Sequence, residues 1–235
     1  MNILENLEQF IDSFNSLNNT HFKIDSIRVE YQKRYKQPRL NELGKWSKLQ
    51  KNSNILYKLK KRLNEYEITT AHRLEKHNIY YYNKCDTSTK THRYDKAEIV
   101  IFGMSQYHKD PPPREMIKSI LSILKSVSNV DVCLDMPFKP NMSQVERLFQ
   151  VTPYITPDGV VTGTSYINKP EITMIEKIVI YNKQLKNSLG FAVWRVEAKI
   201  LTPNIKLLAL PLYEFKELID LMREKQALQI AKELR

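Results

Sequence analysis

The chain has 235 residues, 42% hydrophobic and 27% charged, and this composition excludes an intrinsically disordered protein. Its 37 Lys and Arg against 26 Asp and Glu give a net charge of +11, which favours a polyanionic partner, nucleic acid ahead of an anionic membrane surface. Two distant cysteines, no signal-peptide pattern and no apolar run long enough for a bilayer predict a soluble, cytoplasmic protein without a membrane role. A basic protein with no polyanionic partner is the alternative.

Three regions are predicted along the chain. Residues 1–20 are acidic and amphipathic and predict an N-terminal helix. Residues 21–128 predict a first α+β repeat that contains a basic helix, and residues 129–235 predict a second α+β repeat that ends in a long helix.

In the first repeat, FKIDSIRVEY predicts a strand and residues 41–65 predict a mostly helical segment with a break near 52–54. NIYYYNK and KAEIVIFGM predict a hairpin around the polar residues 85–95, and residues 112–127 predict a helix that starts at a proline.

Positive charge is concentrated early in the chain. Residues 21–66 contain thirteen Lys or Arg and four Asp or Glu, with lysines between apolar residues at helical spacing. This pattern fits a nucleic-acid-binding surface and fits equally well a core-facing helix with a solvated basic face. The residues predicted to bind nucleic acid are Lys45, Lys48, Lys51, Lys58, Lys60, Lys61 and Arg62.

The second repeat predicts a similar series of elements. NVDVCLDMPF predicts a strand, residues 142–150 a short helix capped by Asn141 or Ser143, and TPDGVVTGT a turn that leads into a strand. Residues 175–200 predict a hairpin and residues 211–233 a long helix.

The two repeats match each other at an offset of 99 residues. Tyr82 then aligns with Tyr181, and Glu98 with Glu197, within hairpins of the same element order, although chance could explain so few identities. We therefore predict an α+β fold of two ferredoxin-like β-α-β-β-α repeats, whose antiparallel sheets form one continuous groove if they align.

The second hairpin carries four residues suited to phosphate chemistry. Tyr181 and Lys183 share one face of their strand, and Arg195 and Glu197 share one face of the next. If the turn is centred near residues 187–188, a phenol nucleophile, two cations and a carboxylate converge across the ladder. An ordinary charged β-ladder is the alternative.

Two further carboxylates lie in an apolar strand. Asp131 and Asp135 are four residues apart and so share a face, and acids in such a strand usually need a partner or a metal. Acids at the exposed end of a strand are the alternative.

These residues resemble motifs of the "Rep-trans" rolling-circle replication initiators and related conjugative relaxases. The resemblance covers about residues 129–200: the pair Asp131 and Asp135, a turn at Gly163-Thr164, the strand Ile180-Tyr181-Asn182-Lys183 and the strand Trp194-Arg195-Val196-Glu197. Asn182 stands where the family usually has aspartate. The resemblance implies an enzyme that nicks one DNA strand through a tyrosine with a divalent metal.

The function that we predict from the sequence is a tyrosine-dependent DNA nickase that initiates replication. Tyr181 attacks the scissile phosphate, Lys183 and Arg195 bind its oxygens, and Glu197 with Asp131 and Asp135 holds Mg²⁺ or Mn²⁺. DNA is the predicted partner, followed by a second copy of the chain and by a helicase or another replication protein. The alternatives are a non-catalytic nucleic-acid-binding initiator or regulator, and a basic scaffold that binds a protein through its terminal helix.

Overall fold

The structure is a computed structural model that describes residues 2–31, 40–65, 67–75, 77–84, 96–107, 110–122, 126–156, 158–202 and 204–233. By its internal contacts the chain divides into two units. The first consists of residues 1–7, 26–106 and 110–129, and the second of residues 8–25, 107–109 and 130–235. Residues 8–25 therefore group with the second unit.

The chain begins with a helix whose first residues belong to the first unit. The elements up to residue 122 are α1 (Ile3–Asn18), β1 (Lys23–Tyr31), β2 (Trp46–Lys48), α2 (Asn54–Leu63), β3 (Ile68–Leu74), β4 (Ile79–Lys84), β5 (Lys96–Phe102) and α3 (Arg114–Ser122). The first unit has the strand order β2-β3-β4-β5-β1, and all four neighbouring pairs are antiparallel.

The predicted hairpin of the first repeat is confirmed, since β4 pairs with β5 from Ile79 opposite Ile101 to Lys84 opposite Lys96. The predicted polar connection, residues 85–95, lies outside the described residues. The predicted helix over residues 112–127 is too long, because α3 ends at Ser122 and β6 already begins at Ser126.

The prediction of a mostly helical segment over residues 41–65 is wrong in its first half. Gly44 has a φ of 131°, a left-handed conformation that breaks a helix, and β2 follows it. The helix starts only after Ser53, whose hydroxyl accepts a hydrogen bond from the backbone N–H of Leu56 as an N-cap. The predicted basic helix is thus the ten-residue α2.

The apolar side of α2 packs on the sheet of the first unit. Its three buried leucines, three and four positions apart along the helix, form a core with residues of β3, β4 and β5: Leu56, Leu59, Leu63, Ile68, Ala71, Tyr80, Tyr82, Val100 and Phe102. Burying this apolar stripe stabilises the helix far more than its intrinsic propensity does. The lysines between the leucines remain on the outer side.

The second unit contains the rest of the chain. Its elements are β6 (Ser126–Met136), α4 (Met142–Leu148), β7 (Val151–Ile155), β8 (Val161–Asn168), β9 (Ile175–Asn182), α5 (Lys183–Asn187), β10 (Trp194–Leu201) and α6 (Ala209–Glu233), with a 3-10 turn at Ile205–Leu208. The strand order is β6-β10-β9-β8-β7, and β7/β8, β8/β9 and β9/β10 are antiparallel.

The α+β class with antiparallel sheets is confirmed, and the two units share one strand order. In the first unit β2 to β5 lie side by side in chain order, and β1 lies next to β5. In the second unit β7 to β10 lie side by side in chain order, and β6 lies next to β10. Each repeat has more strands than the predicted β-α-β-β-α pattern, because β2, β3 and β7 were not predicted. The predicted turn at Gly163-Thr164 is wrong, since both residues lie inside β8 and Thr164 pairs with Tyr181.

Helices complete the core of the second unit. Phe22 stacks on Phe215 of α6 with ring centroids 5.1 Å apart, and Phe14 of α1 meets Tyr213 edge to face at 5.9 Å. Asn141, one of the two predicted caps, is the N-cap of α4, and its backbone N–H also donates to the carbonyl of Met222. In the described part of the chain, no helix combines the length and apolar composition needed to span a membrane.

Candidate functional site

The charged residues of the second hairpin meet on one face of the sheet. In the β9/β10 ladder Tyr181 lies opposite Arg195, which centres the connection at Ser188 as predicted, and Glu197 follows two residues later on the same face. The prediction that Lys183 lies on the strand with Tyr181 is wrong, because β9 ends at Asn182 and Lys183 begins α5, where it is buried. Because β6 lies next to β10, Asp135 near the end of β6 reaches the same cluster.

Arg195 is the centre of the cluster. Its Nε and one terminal nitrogen donate to the two oxygens of Asp135, both at 2.6 Å, and its other terminal nitrogen donates to Asp25 at 2.7 Å and lies 3.8 Å from Glu197. Such a two-pronged pair of a guanidinium and a carboxylate is a strong, directional contact. Arg195 is only 1% exposed, so its charge is neutralised by carboxylates inside the protein rather than by water.

Tyr181 donates its hydroxyl to Oε1 of Glu197 at 2.6 Å. Burial, and next the negative charge of Glu197, raise the pKa of this phenol far above its ordinary value, so the phenol is neutral. Glu197 therefore occupies the position of a general base for Tyr181. The tyrosine is 5% exposed, and the ammonium of Lys186 lies 4.0 Å from the centre of its ring.

Lys183 and Tyr107 complete the cluster around Asp135. The Lys183 ammonium lies 3.9 Å from Oδ2 of Asp135 and 4.3 Å from the centre of the Tyr107 ring, and Tyr107 donates its hydroxyl to the same Oδ2 at 2.8 Å. Burial, and next the positive charge of Arg195, lower the pKa of Lys183. Burial works to raise the pKa of Asp135, but hydrogen bonds from Arg195 outweigh it and the pKa lies below its ordinary value.

Sequence reasoning missed Asp25 and Tyr107. Both belong to the second unit although they precede its main segment along the chain. A signal for Asp25 was present, because it is an acid within the apolar strand FKIDSIRVEY, the same feature that singled out Asp135. Tyr107 lies in a bend after β5, and no periodicity marks it. It is nevertheless the most accessible phenol of the cluster, at 45% exposure.

The cluster does not fit a divalent metal as arranged. Both oxygens of Asp135 bind Arg195, and Glu197 accepts the Tyr181 hydroxyl. Asp131, the third predicted ligand, is half-buried on β6, and four residues of strand put its Cα about 13 Å from that of Asp135. Among the described residues, no three His, Cys, Asp or Glu side chains are grouped to hold a metal. The divalent metal therefore remains a prediction that rests on the resemblance to rolling-circle initiators.

The first unit repeats the contact between tyrosine and glutamate. Tyr82 of β4 donates its hydroxyl to Oε2 of Glu98 on β5 at 2.6 Å, the same length as the bond from Tyr181 to Glu197. The registers differ by two residues, because Tyr82 lies directly opposite Glu98 whereas Tyr181 lies opposite Arg195. The offset of 99 residues therefore aligns equivalent side chains, which supports the internal repeat.

The predicted nucleic-acid-binding residues lie on three local structures. Lys45 precedes β2 and pairs with Glu75 at 3.3 Å, Lys48 ends β2, and Lys51 lies in the turn before α2. The remaining four predicted residues are on α2, three of them in its last turn, where cations interact favourably with the helix dipole: Lys58, Lys60, Lys61 and Arg62. They therefore do not lie on one continuous helix, and their role in binding nucleic acid stays a prediction.

Comparison with known proteins finds a likeness to a solved structure and no match of sequence. No protein-family model matches the chain, and no curated protein matches its sequence. The structure is similar to that of a rolling circle replication initiator protein from Geobacillus stearothermophilus, with a TM-score of 0.40 and 14% sequence identity over 80% of this chain and 77% of that one. What this chain does must therefore be argued from its own residues.

Proposed function

We propose that the chain is a DNA-binding replication initiator that nicks and rejoins one DNA strand through a tyrosine. The observation that carries the proposal is the hydrogen bond of 2.6 Å from the Tyr181 hydroxyl to Glu197, with Arg195 and Lys183 in the same cluster. A phenol held on a carboxylate beside two cations has the parts that transfer of a phosphodiester requires. The charge of +11 supplies the attraction to DNA.

The proposed reaction uses only side chains of the second unit. The Tyr181 oxygen attacks phosphorus, its proton passes to Glu197, and the bond from phosphorus to the oxygen of one flanking deoxyribose breaks. Lys183, whose lowered pKa makes it the better proton donor, protonates the departing sugar oxygen. The tyrosyl phosphodiester retains the bond energy, so the reverse sequence rejoins the strand. Arg195 contributes positive potential from within the cluster.

Attack requires that the DNA strand reach a buried phenol. Tyr181 is 5% exposed, and Lys186, itself exposed on α5, covers its ring. Displacement of the Lys186 ammonium by a phosphate would both uncover the ring and pair the phosphate with a cation. The closed cluster is thus the state before DNA binds.

The test is covalent capture of DNA. Wild-type protein is incubated with a supercoiled plasmid that carries the replicon encoding this chain, and nicked circles and protein-linked DNA are measured. Tyr181→Phe should abolish both, while Tyr107→Phe, which removes the neighbouring phenol of the same cluster, should retain both. Peptide mapping of the adduct identifies the modified tyrosine. An adduct of normal yield in Tyr181→Phe would refute the assignment of the nucleophile.

A second candidate function is nucleic-acid binding without catalysis. Two observations favour it: Arg195 is saturated by carboxylates, and the bond from Tyr181 to Glu197 recurs as Tyr82 with Glu98 in the other unit, where it has a structural role. This function predicts binding that weakens steeply with salt, needs no divalent metal and leaves supercoiled DNA intact. If the protein binds no DNA or RNA at low salt, both candidates fail and the protein-binding scaffold remains.

A further inference from the structure

A basic pocket of about 240 Å³ lies in the first unit, whereas the cluster just described belongs to the second. Lys58 and Arg62 of α2, Arg73 of β3 and Asn78 before β4 line it together with Phe102 of β5. No Asp or Glu is among the described residues that line it. Three cations therefore line one small space.

Two of the cations are held in place before any ligand binds. The Arg62 guanidinium stacks over the Phe102 ring at 3.6 Å, and Nε of Arg73 donates to the carbonyl of His77 at 3.1 Å. A guanidinium fixed in this way loses little conformational entropy on binding, and its planar set of donors matches phosphate oxygens. Phe102 itself is buried, so its ring supports Arg62 and is not a surface for stacking a base.

The lining indicates a phosphate attached to an organic group. Ile55 and Leu59 of α2 and Tyr80 of β4 contribute apolar surface next to the cations, and the Asn78 amide offers both a donor and an acceptor. A space of about 240 Å³ is smaller than the usual ligand pocket of about 300–1,000 Å³, so it admits one nucleotide at most and no duplex. The group it accommodates must project from its strand.

We propose that this pocket binds one nucleotide of single-stranded DNA, with the phosphate on Lys58, Arg62 and Arg73 and the sugar against the apolar wall. The inference rests on the proposed DNA-binding function and adds a site for unpaired DNA in the unit without the candidate nucleophile. A protein that opens or nicks a duplex exposes such a strand, and a second contact would hold it.

The test measures binding of a labelled oligothymidylate by fluorescence anisotropy across a salt series. Arg73→Gln and Lys58→Gln should each weaken binding about three- to tenfold and reduce the slope of log affinity against log salt by about 0.7, the value for one phosphate contact on a single strand. Lys206→Gln, which removes an exposed lysine in the 3-10 turn of the second unit, outside the pocket and outside the predicted nucleic-acid-binding residues, should leave both quantities unchanged. Lys58 is exposed, so its replacement leaves the core intact.

Three results would overturn the inference. The first is that both pocket variants bind the oligothymidylate as tightly as the wild type. The second is that the control loses as much affinity as they do. The third is that free thymidine monophosphate competes as well as the oligomer, which would assign the pocket to a free nucleotide. Plasmid nicking is scored separately. Normal nicking with unaltered oligonucleotide binding in the pocket variants would reject the pocket and leave the proposed function standing.

Discussion

Replacing Arg195 with methionine should lower the free energy of unfolding by about 4 kcal/mol at neutral pH. The substitution removes charge-assisted hydrogen bonds of 2.6 Å to each oxygen of Asp135 and of 2.7 Å to Asp25, and it leaves both acids without this guanidinium. Each such bond is worth about 1.5–3 kcal/mol, but the Asp135 side chain is 14% exposed and regains some water, which keeps the loss below the full sum.

The loss should shrink in acid. In the wild type the lowered pKa of Asp135 means that its ionised form stabilises the fold above the ordinary carboxyl pKa, near 4, and that this stability is lost as pH falls through the lowered value. Without Arg195 only the weaker lowering effects of Lys183 and the Tyr107 hydroxyl oppose burial, so the pKa of Asp135 should rise relative to the wild type. The variant is therefore destabilised at neutral pH, where Asp135 is ionised, and protonation of Asp135 in acid removes part of this loss. The free energies of unfolding of the variant and the wild type should approach each other toward about pH 4.5.

Urea unfolding followed by circular dichroism at the two pH values measures both effects. Lys199→Met is the matched control, because Lys199 lies on the same strand and pairs at 2.8 Å with Glu176, whose side chain is 32% exposed and keeps contact with water when the lysine is lost. It should cost about 1 kcal/mol or less. A loss in Arg195→Met no larger than that of the control, or one equal at both pH values, would refute the account of Arg195 as the hub of a buried network.

Three further predictions test other parts of the fold. Tyr82→Phe and Tyr181→Phe should each lower the free energy of unfolding by about 1–2 kcal/mol in urea titrations, more for Tyr82 because its glutamate partner is the more buried; equal, negligible losses would contradict this. Ser53→Ala and Asn141→Ala remove N-caps and should each cost about 1 kcal/mol in thermal melts, whereas unchanged midpoints would contradict the assigned caps. Cys133, a buried thiol whose pKa is raised by burial, should resist alkylation until urea unfolds the protein; rapid labelling of the native state would count against its burial.

The candidate site could be predicted where it depends on strand periodicity. A strand places every second residue on one face, so spacing alone assigned Tyr181 to one side of β9, and the position of the connection then set Arg195 and Glu197 across from it. Asp135 followed from the rule that an acid in an apolar strand needs a partner. These inferences need only local geometry, which the sequence contains.

The parts that were missed depend on contacts between distant segments. Asp25 lies 170 residues from Arg195, and nothing near either residue specifies that they meet. The burial of the cluster is likewise a tertiary property, and it changes the chemistry, since a guanidinium bound by carboxylates differs from one open to phosphate. The missed strands are short or atypical: β2 has three residues and β7 contains Pro153, which disfavours a strand assignment.

The difference of two residues between the hairpin registers of the two units has a consequence for how duplicated sheets can diverge. A slip by one residue would turn every side chain of the strand to the opposite face and expose the core, whereas a slip by two preserves inside and outside. In β10 that slip puts Arg195, rather than the glutamate, directly across from the phenol, while the longer reach of Glu197 still closes the tyrosine bond. A slip by an even number of residues can therefore bring a different side chain opposite the phenol while the buried side chains stay on their own face of the sheet.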